Sequence, residues 1–240
     1  MIDEHGIYAI SALIYAIAAV TYFGLTRRQP RHLRPYCYLL VGVVGAAALL
    51  SAVFAVGIGT IAVGGGEVIV PQMIDGLIAY PLLFGFAAFT AGSSRRVVAL
   101  VAGVSIAQRL AYEVGALTDG PLGLAMLLVV VGGFFGHVYL LFGPVWRTAS
   151  RQSPRRRLLF WKFRNLLLFL IGMLILAALL SLTPLLDPFT GSVVVQYVDV
   201  LLRVGFAGFL IGNISALDSA AGDEPERSEW VTPADVATAD

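Results

Sequence analysis

Seven apolar runs, each about long enough to cross a ~30 Å hydrocarbon core, dominate this chain of 240 residues. They cover 7–26, 36–62, 71–91, 97–117, 121–143, 163–182 and 192–214. Inside hydrocarbon every backbone N–H and C=O must find its partner within the protein, so runs of this length form helices. They leave almost no chain for a separate soluble domain. The expected fold is therefore all-α: one seven-transmembrane-helix domain over residues 1–216, followed by an acidic tail, 217–240, too poor in large apolar residues to be ordered. Only 13% of the residues are charged, about half the share usual in a soluble domain.

The arginines set the expected topology. Arg27, Arg28, Arg31 and Arg34 fill the first connection, and Arg95 and Arg96 sit in the third. Arg147, Arg151, Arg155, Arg156, Arg157 and Lys162 crowd the fifth and the entry to the sixth run. The alternate connections carry no Lys or Arg and hold Glu67, Asp119 and Asp187. The positive-inside rule then predicts an outside N-terminus and a cytoplasmic C-terminus, in a multi-pass protein of the cell membrane. The first run follows Asp3 and Glu4 rather than a basic stretch, so it reads as a helix and not as a cleaved leader. After "GIGTIAV", Gly64-Gly65-Gly66 suits a short hairpin between the second and third runs.

Several classes of function find no support. Cys37 is alone, and His5, His32 and His137 lie on separate segments without zinc spacing. No Walker loop, dinucleotide fingerprint or GxSxG elbow is present. Without a nucleophile–base pair or a metal set, catalysis is not expected, and neither is nucleic-acid binding.

What remains is charge inside the apolar runs. Arg109 and Arg203 are the two basic residues that connections, helix ends and tail do not account for, and Asp75, Glu113 and Asp199 share the membrane with them. Such residues are costly there, face the bundle interior and mark function by default. Arg109 and Glu113 are four apart, as are Asp199 and Arg203, so each pair can close along one helix face. Gln72 lies three residues before Asp75, on the same face. The expectation is a polar cluster toward the outer half of the bundle. A network that fixes helix register and an ion or proton path are both open to it. Arg109 has one evident partner, Glu113, and lies close enough to the helix end to snorkel to the interface. Glycine pairs at Gly132/Gly136 and Gly208/Gly212 suit close helix packing.

"DVLLRVGF", from Asp199 to Phe206, with seven runs and an outside N-terminus, resembles the microbial rhodopsins, especially their archaeal branch. "MIDGLIAYPLL" around Asp75, with Pro81 six residues on, is similar to the family's third helix. "VGALT" from Val114 resembles the end of the fourth and "FRNLLLF" from Phe163 the start of the sixth. The resemblance implies a lysine at the position of Arg203, bonded to retinal as a Schiff base, with the acid at Asp199 in its counterion. A guanidinium stays protonated and does not form that bond. Lys162, the only lysine, lies on another helix.

The pocket that the resemblance implies departs in parallel. A family Trp stands at Gly76, another at Ile171, a Tyr and a Pro at Leu174 and Ile175, a Gly at Tyr112 and a Met at Gln108. The family's third-helix Arg falls at Gln72 and the pumps' proton donor at Phe86. Tyr112 is expected to fill part of the cavity, and no cofactor is expected. Asp75 and Asp199 would neutralise Arg203 where their counterparts neutralise a Schiff base.

The implied role is a non-photochemical regulatory, sensory or partner-binding membrane protein. Its partners would be membrane lipids, and a membrane protein or a second copy of itself. Tyr197 resembles a Tyr that sensory rhodopsins turn toward their transducer. The alternative is a noncovalent binder of a retinoid, carotenoid or lipid, using space left by Gly76 and Ile171. An ion channel or transporter ranks below both.

Overall fold

The computed structural model describes residues 4–63, 66–181, 183 and 185–218. The chain runs α1 (Glu4–Arg28), α2 (Arg34–Ala55), β1 (Thr60–Val63), β2 (Gly66–Ile69), α3 (Val70–Thr90), α4 (Arg95–Ala116) and α5 (Gly120–Phe142). A short α6 (Pro144–Ala149) precedes α7 (Pro154–Ser181). The last span is composite: α8 (Pro188–Val200), a π-helical turn (Leu201–Gly205) and α9 (Phe206–Asn213), with a 3-10 turn (Ile214–Leu217) behind it. Seven helical stretches are long and apolar enough to cross a membrane.

Consecutive helices pack side by side, and α8 returns against α1, which closes the ring. The third span is the most enclosed, with 61% of its apolar stretch buried against 17–39% in the others. Anything α3 carries therefore sits near the axis of the bundle. Exposed Leu, Ile, Val and Phe side chains on the outer faces, such as Leu13, Val20, Leu128 and Phe169, suit a lipid solvent.

Two boundaries differ most from expectation. The second span ends at Ala55 and not at 62. Gly57 and Gly59 adopt φ of 78° and 101°, a region that side chains rarely enter, and they turn the chain out of the helix. The released segment forms β1, which pairs antiparallel with β2 from Thr60↔Ile69 to Val63↔Gly66. This hairpin marks one end of the bundle. At the other, basic end, α7 begins at Pro154, nine residues before the apolar run. Arg155, Arg156 and Arg157 are thus helical and not loop, as suits Pro in a first turn and Arg as a good helix former. Arg156 donates from Nε to the Thr90 carbonyl (2.7 Å) and from Nη2 to that of Phe89 (3.2 Å), tying α7 to the end of α3.

Of the glycine pairs, Gly208 makes the closest approach. A Cβ there would sit 2.5 Å from the Tyr22 hydroxyl, which donates to the Val204 carbonyl (2.8 Å) and docks α1 on the last span. Gly132 and Gly212 have nothing within 4 Å. The expected tail falls outside the described residues apart from Leu217 and Asp218. Asp218 lies 3.2 Å from His32 in the first connection.

Candidate functional site

Asp75 lies near the start of α3, Arg109 and Glu113 near the end of α4, and Asp199 at the end of α8. An up-and-down bundle brings all four to the hairpin half. Arg203 follows Asp199 by one turn, inside the π-helical turn. That turn holds one residue more than an α-helical turn would, and such insertions recur at functional sites.

Arg203 is 2% exposed. Its Nη2 pairs with Asp75 Oδ2 at 2.6 Å, and its Nη1 pairs with Asp199 Oδ2. Two tyrosines complete the cage. Tyr15 of α1, fully buried, has its hydroxyl 3.3 Å from Nη1, and the Tyr80 hydroxyl of α3 donates to Asp199 Oδ1 at 3.0 Å. The guanidinium carbon also stands 5.9 Å and 5.6 Å from the two ring centres. One cation thus links α1, α3 and the last span.

Arg109 closes a second pair with Glu113 on its own helix face. It does more than the sequence suggests. Its side chain is 9% exposed and turns inward, not out to the interface. Nη2 donates to the Gln72 carbonyl at 3.2 Å. Its middle atoms occupy the place a side chain at residue 76 would take: a Cβ on Gly76 would be 2.5 Å from Nε. The space expected beside Gly76 is therefore filled by Arg109. Tyr112 differs too. It is 41% exposed and borders the cavity from its edge, 5.1 Å from the Arg109 guanidinium, without plugging it.

The cavity that remains measures about 100 Å³. Ile171, Leu174, Ile175 and Ala178 give it an apolar wall; Arg203, Asp199, Arg109 and Gln108 give it a polar one. The Gln108 amide donates to the Val130 carbonyl at 2.8 Å. Phe86, at the expected donor position, is buried among Tyr36, Phe89 and Phe163. Tyr197 points away from all of this and is 64% exposed, on the outer face of α8. Lys162 borders Gly212 and Asn213 at the basic end, about 14 Å along the helix axis from Arg203.

Three features escaped the sequence. The Tyr15 and Tyr80 contacts cross helices, and apolar periodicity gives no sign of them. His137 is fully buried between α4 and α5, with Nε2 3.0 Å from Ser105 Oγ and its ring stacked 3.8 Å from that of Phe84. Arg164 is buried as Arg203 is, 4% exposed, where the sequence placed it with the basic helix ends. It lies against Phe142, Trp146 and Phe160, with its guanidinium 3.7, 5.0 and 5.9 Å from their ring centres, and donates to Asn165 Oδ1 at 3.2 Å.

Comparison with known proteins places this geometry. The family model for bacteriorhodopsin-like proteins matches residues 4–217. Sensory rhodopsin-2 of Natronomonas pharaonis is 32% identical over 204 residues, covering 84% of this chain and 83% of that protein. Sensory rhodopsin-2 of Haloarcula vallismortis is 31% identical over 214 residues, covering 87% and 89%. Among solved structures, a cyanorhodopsin from the cyanobacterium Calothrix superposes with a TM-score of 0.83 at 20% identity, covering 91% of this chain and 98% of the other. The thermophilic rhodopsin from Rubrobacter xylanophilus gives 0.80 at 22% identity, covering 90% and 97%. At these identities the superpositions speak for the fold.

Proposed function

This chain belongs to the bacteriorhodopsin-like family, and from that premise we propose that it is a non-photochemical member, a sensory or regulatory membrane protein that works without covalent retinal. The single observation behind the reading is Arg203. In the resemblance drawn from "DVLLRVGF" it stands where the family's lysine forms the Schiff base. Its charge is already met by Asp75 and Asp199. A cation that never releases its proton cannot act as a nucleophilic amine. The ~100 Å³ cavity beside it is also well below the roughly 300–1,000 Å³ of typical small-molecule sites, so a long polyene does not fit as the side chains stand.

The output of such a protein is contact with another membrane protein, in keeping with relatives named as sensory rhodopsins. The arginine-rich end faces the cytoplasm by the positive-inside rule, and the hairpin faces outward. Tyr197, exposed on α8, is the residue proposed to meet a partner helix. A second reading, noncovalent uptake of a small apolar molecule or lipid fragment, draws on the apolar wall of the cavity.

The test is a pigment assay. Purified protein is mixed with all-trans-retinal, and its spectrum is followed before and after borohydride and denaturation. The expected result is no covalent adduct, and Arg203→Lys alone gives no efficient pigment because Arg109 still occupies the space beside Gly76. A reduced adduct on the native chain overturns the reading. A red-shifted band lost on denaturation favours the second.

A further inference from the structure

The charges at the hairpin half do not balance. Arg109 and Glu113 form a neutral pair. Arg203 faces two carboxylates, Asp75 and Asp199, which with both ionised leaves one negative charge over. An uncompensated charge enclosed by helices and lipid is unfavourable by several kcal/mol or draws a counter-charge to itself.

A second, smaller hole adjoins the same carboxylates. It measures about 10 Å³, the size of one water-sized sphere. Asp75 and Asp199 border it, whereas Arg203 and Arg109 do not. Asp75 is 6% exposed, and while its Oδ2 meets Arg203, its Oδ1 is buried without a hydrogen-bond partner among the described residues. Four further residues with side-chain oxygen line the hole, Tyr8 of α1, Ser51 of α2, Gln72 of α3 and Gln196 of α8, and Leu50, Phe54 and Pro71 supply the apolar remainder. Ser51 and Gln196 are themselves buried.

Oxygen donors without thiolate or imidazole select a hard cation. Charge then decides the valence. A divalent ion would turn a surplus of one negative into a surplus of one positive; a monovalent ion cancels it. No group of three His, Cys, Asp or Glu gathers at one point among the described residues, which also argues against a divalent or transition-metal centre. The volume leaves room for a small ion without its water shell. We propose that this hole is a sodium site, in which one Na⁺ bound to Asp75 Oδ1 and its oxygen neighbours completes the charge of the Arg203 cluster and ties α1, α2 and α3 to α8.

The site stands apart from the retinal question, and its test does not use retinal. Purified protein is melted at pH 7 in NaCl, KCl and choline chloride of equal ionic strength, with helical circular dichroism as readout. The expected result is a saturable rise in the midpoint with Na⁺, of roughly 5–10 °C at a hundredfold excess over its Kd, and no such rise with choline. Direct ²³Na line broadening should saturate over the same range. Asp75→Asn should abolish both responses. Because that change also touches Arg203, Ser51→Ala is the cleaner probe. It leaves every ion pair intact and should weaken the apparent Na⁺ affinity at least tenfold, read as the Na⁺-induced shift relative to the same variant in choline. Equal midpoints in all three salts overturn the proposal, and so does a Na⁺ response that Ser51→Ala and Asp75→Asn both leave unchanged. Stability that rises on acidification with no sodium dependence at any pH also overturns it, since a proton on Asp75 would then supply the missing charge.

Discussion

Arg203 and Arg164 are both buried, and they are kept so by opposite means. Arg203 sits between two carboxylates and two phenols at the hairpin half. Arg164, at the basic half, has no carboxylate within salt-bridge range among the described residues and lies against three aromatic faces. The first solution joins opposite charges, each of which becomes a liability once the other is gone. The second joins a cation to neutral rings, which lose an attraction of roughly 0.5–2 kcal/mol and inherit no stranded charge when the cation leaves. Burial alone therefore does not rank the two residues; the state of the neighbours after deletion does.

Leucine at each position is the sharpest way to break that contrast. Arg203→Leu strands Asp75 and Asp199, and the expected loss is ~3–5 kcal/mol. Arg164→Leu strands no charge and costs only the ring contacts and the hydrogen bond to Asn165, and its expected loss is about 1 kcal/mol. Adding Asp199→Asn to Arg203→Leu should recover part of the first loss, because one fewer charge is left unpaired. Thermal unfolding in detergent measures all three variants. Equal losses for the two leucine variants, with no recovery in the double variant, would show that the carboxylates take up protons or water at little cost.

Arg109 lies between these extremes, and it sharpens the comparison through a glycine. It has one carboxylate, one carbonyl, and the space over Gly76. Gly76→Ala places a methyl 2.5 Å from Nε and 3.0 Å from Cδ and Cζ. The guanidinium must then move, and both its Glu113 and Gln72 contacts hold it where it is. The expected loss is ~1–3 kcal/mol, as for other overpacked sites. In an Arg109→Ala background the same Gly76→Ala change should be nearly neutral. A double-mutant cycle reads the coupling directly. Additive losses would mean that the backbone of α3, and not Arg109, feels the methyl.

The contrast also explains what could be read from the sequence. The Asp199/Arg203 and Arg109/Glu113 spacings announce charge pairs, because i and i+4 share a helix face. Asp75 reads from the sequence as an intramembrane charge, but its pairing with Arg203 across the bundle rests on the resemblance around "MIDGLIAYPLL" and not on spacing. Arg164 gave no comparable signal. Its aromatic neighbours lie on α5, on α6 and one turn back on α7, and aromatic residues in apolar helices are too common to single out. The basic character of Arg155, Arg156 and Arg157 reads as loop in a hydropathy scan, although arginine is a good helix former, so α7 extended past its apolar run. Tyr15 and the π-helical turn at Leu201–Gly205 depend on how helices settle against one another, which periodicity does not encode.

A carboxylate in water completes the series and sets its lower bound. Asp187 caps α8: its Oδ1 accepts the Thr190 backbone N–H at 3.0 Å, and its Oδ2 accepts the Thr190 hydroxyl. These bonds to Thr190 hold its carboxyl below the usual range. The sign follows from that depression. The folded state prefers the ionised form, so the cap contributes its full stability above the unfolded pKa of about 3.9 and loses it as pH falls through the lower folded value. Asp187 is exposed, and solvent screens the interaction, so its removal should leave global melting almost unchanged. The effect belongs at the first turn of α8, where Asp187→Ala should speed amide exchange at Thr190 and Gly191 near neutral pH. As pH falls through the depressed folded value, the native chain should lose that protection and resemble the variant. Protection at Thr190 that stays constant through the whole acid titration of the carboxyl would mean that the neighbouring helices, and not the cap, hold the end of α8. The comparison would then reduce to buried charge alone.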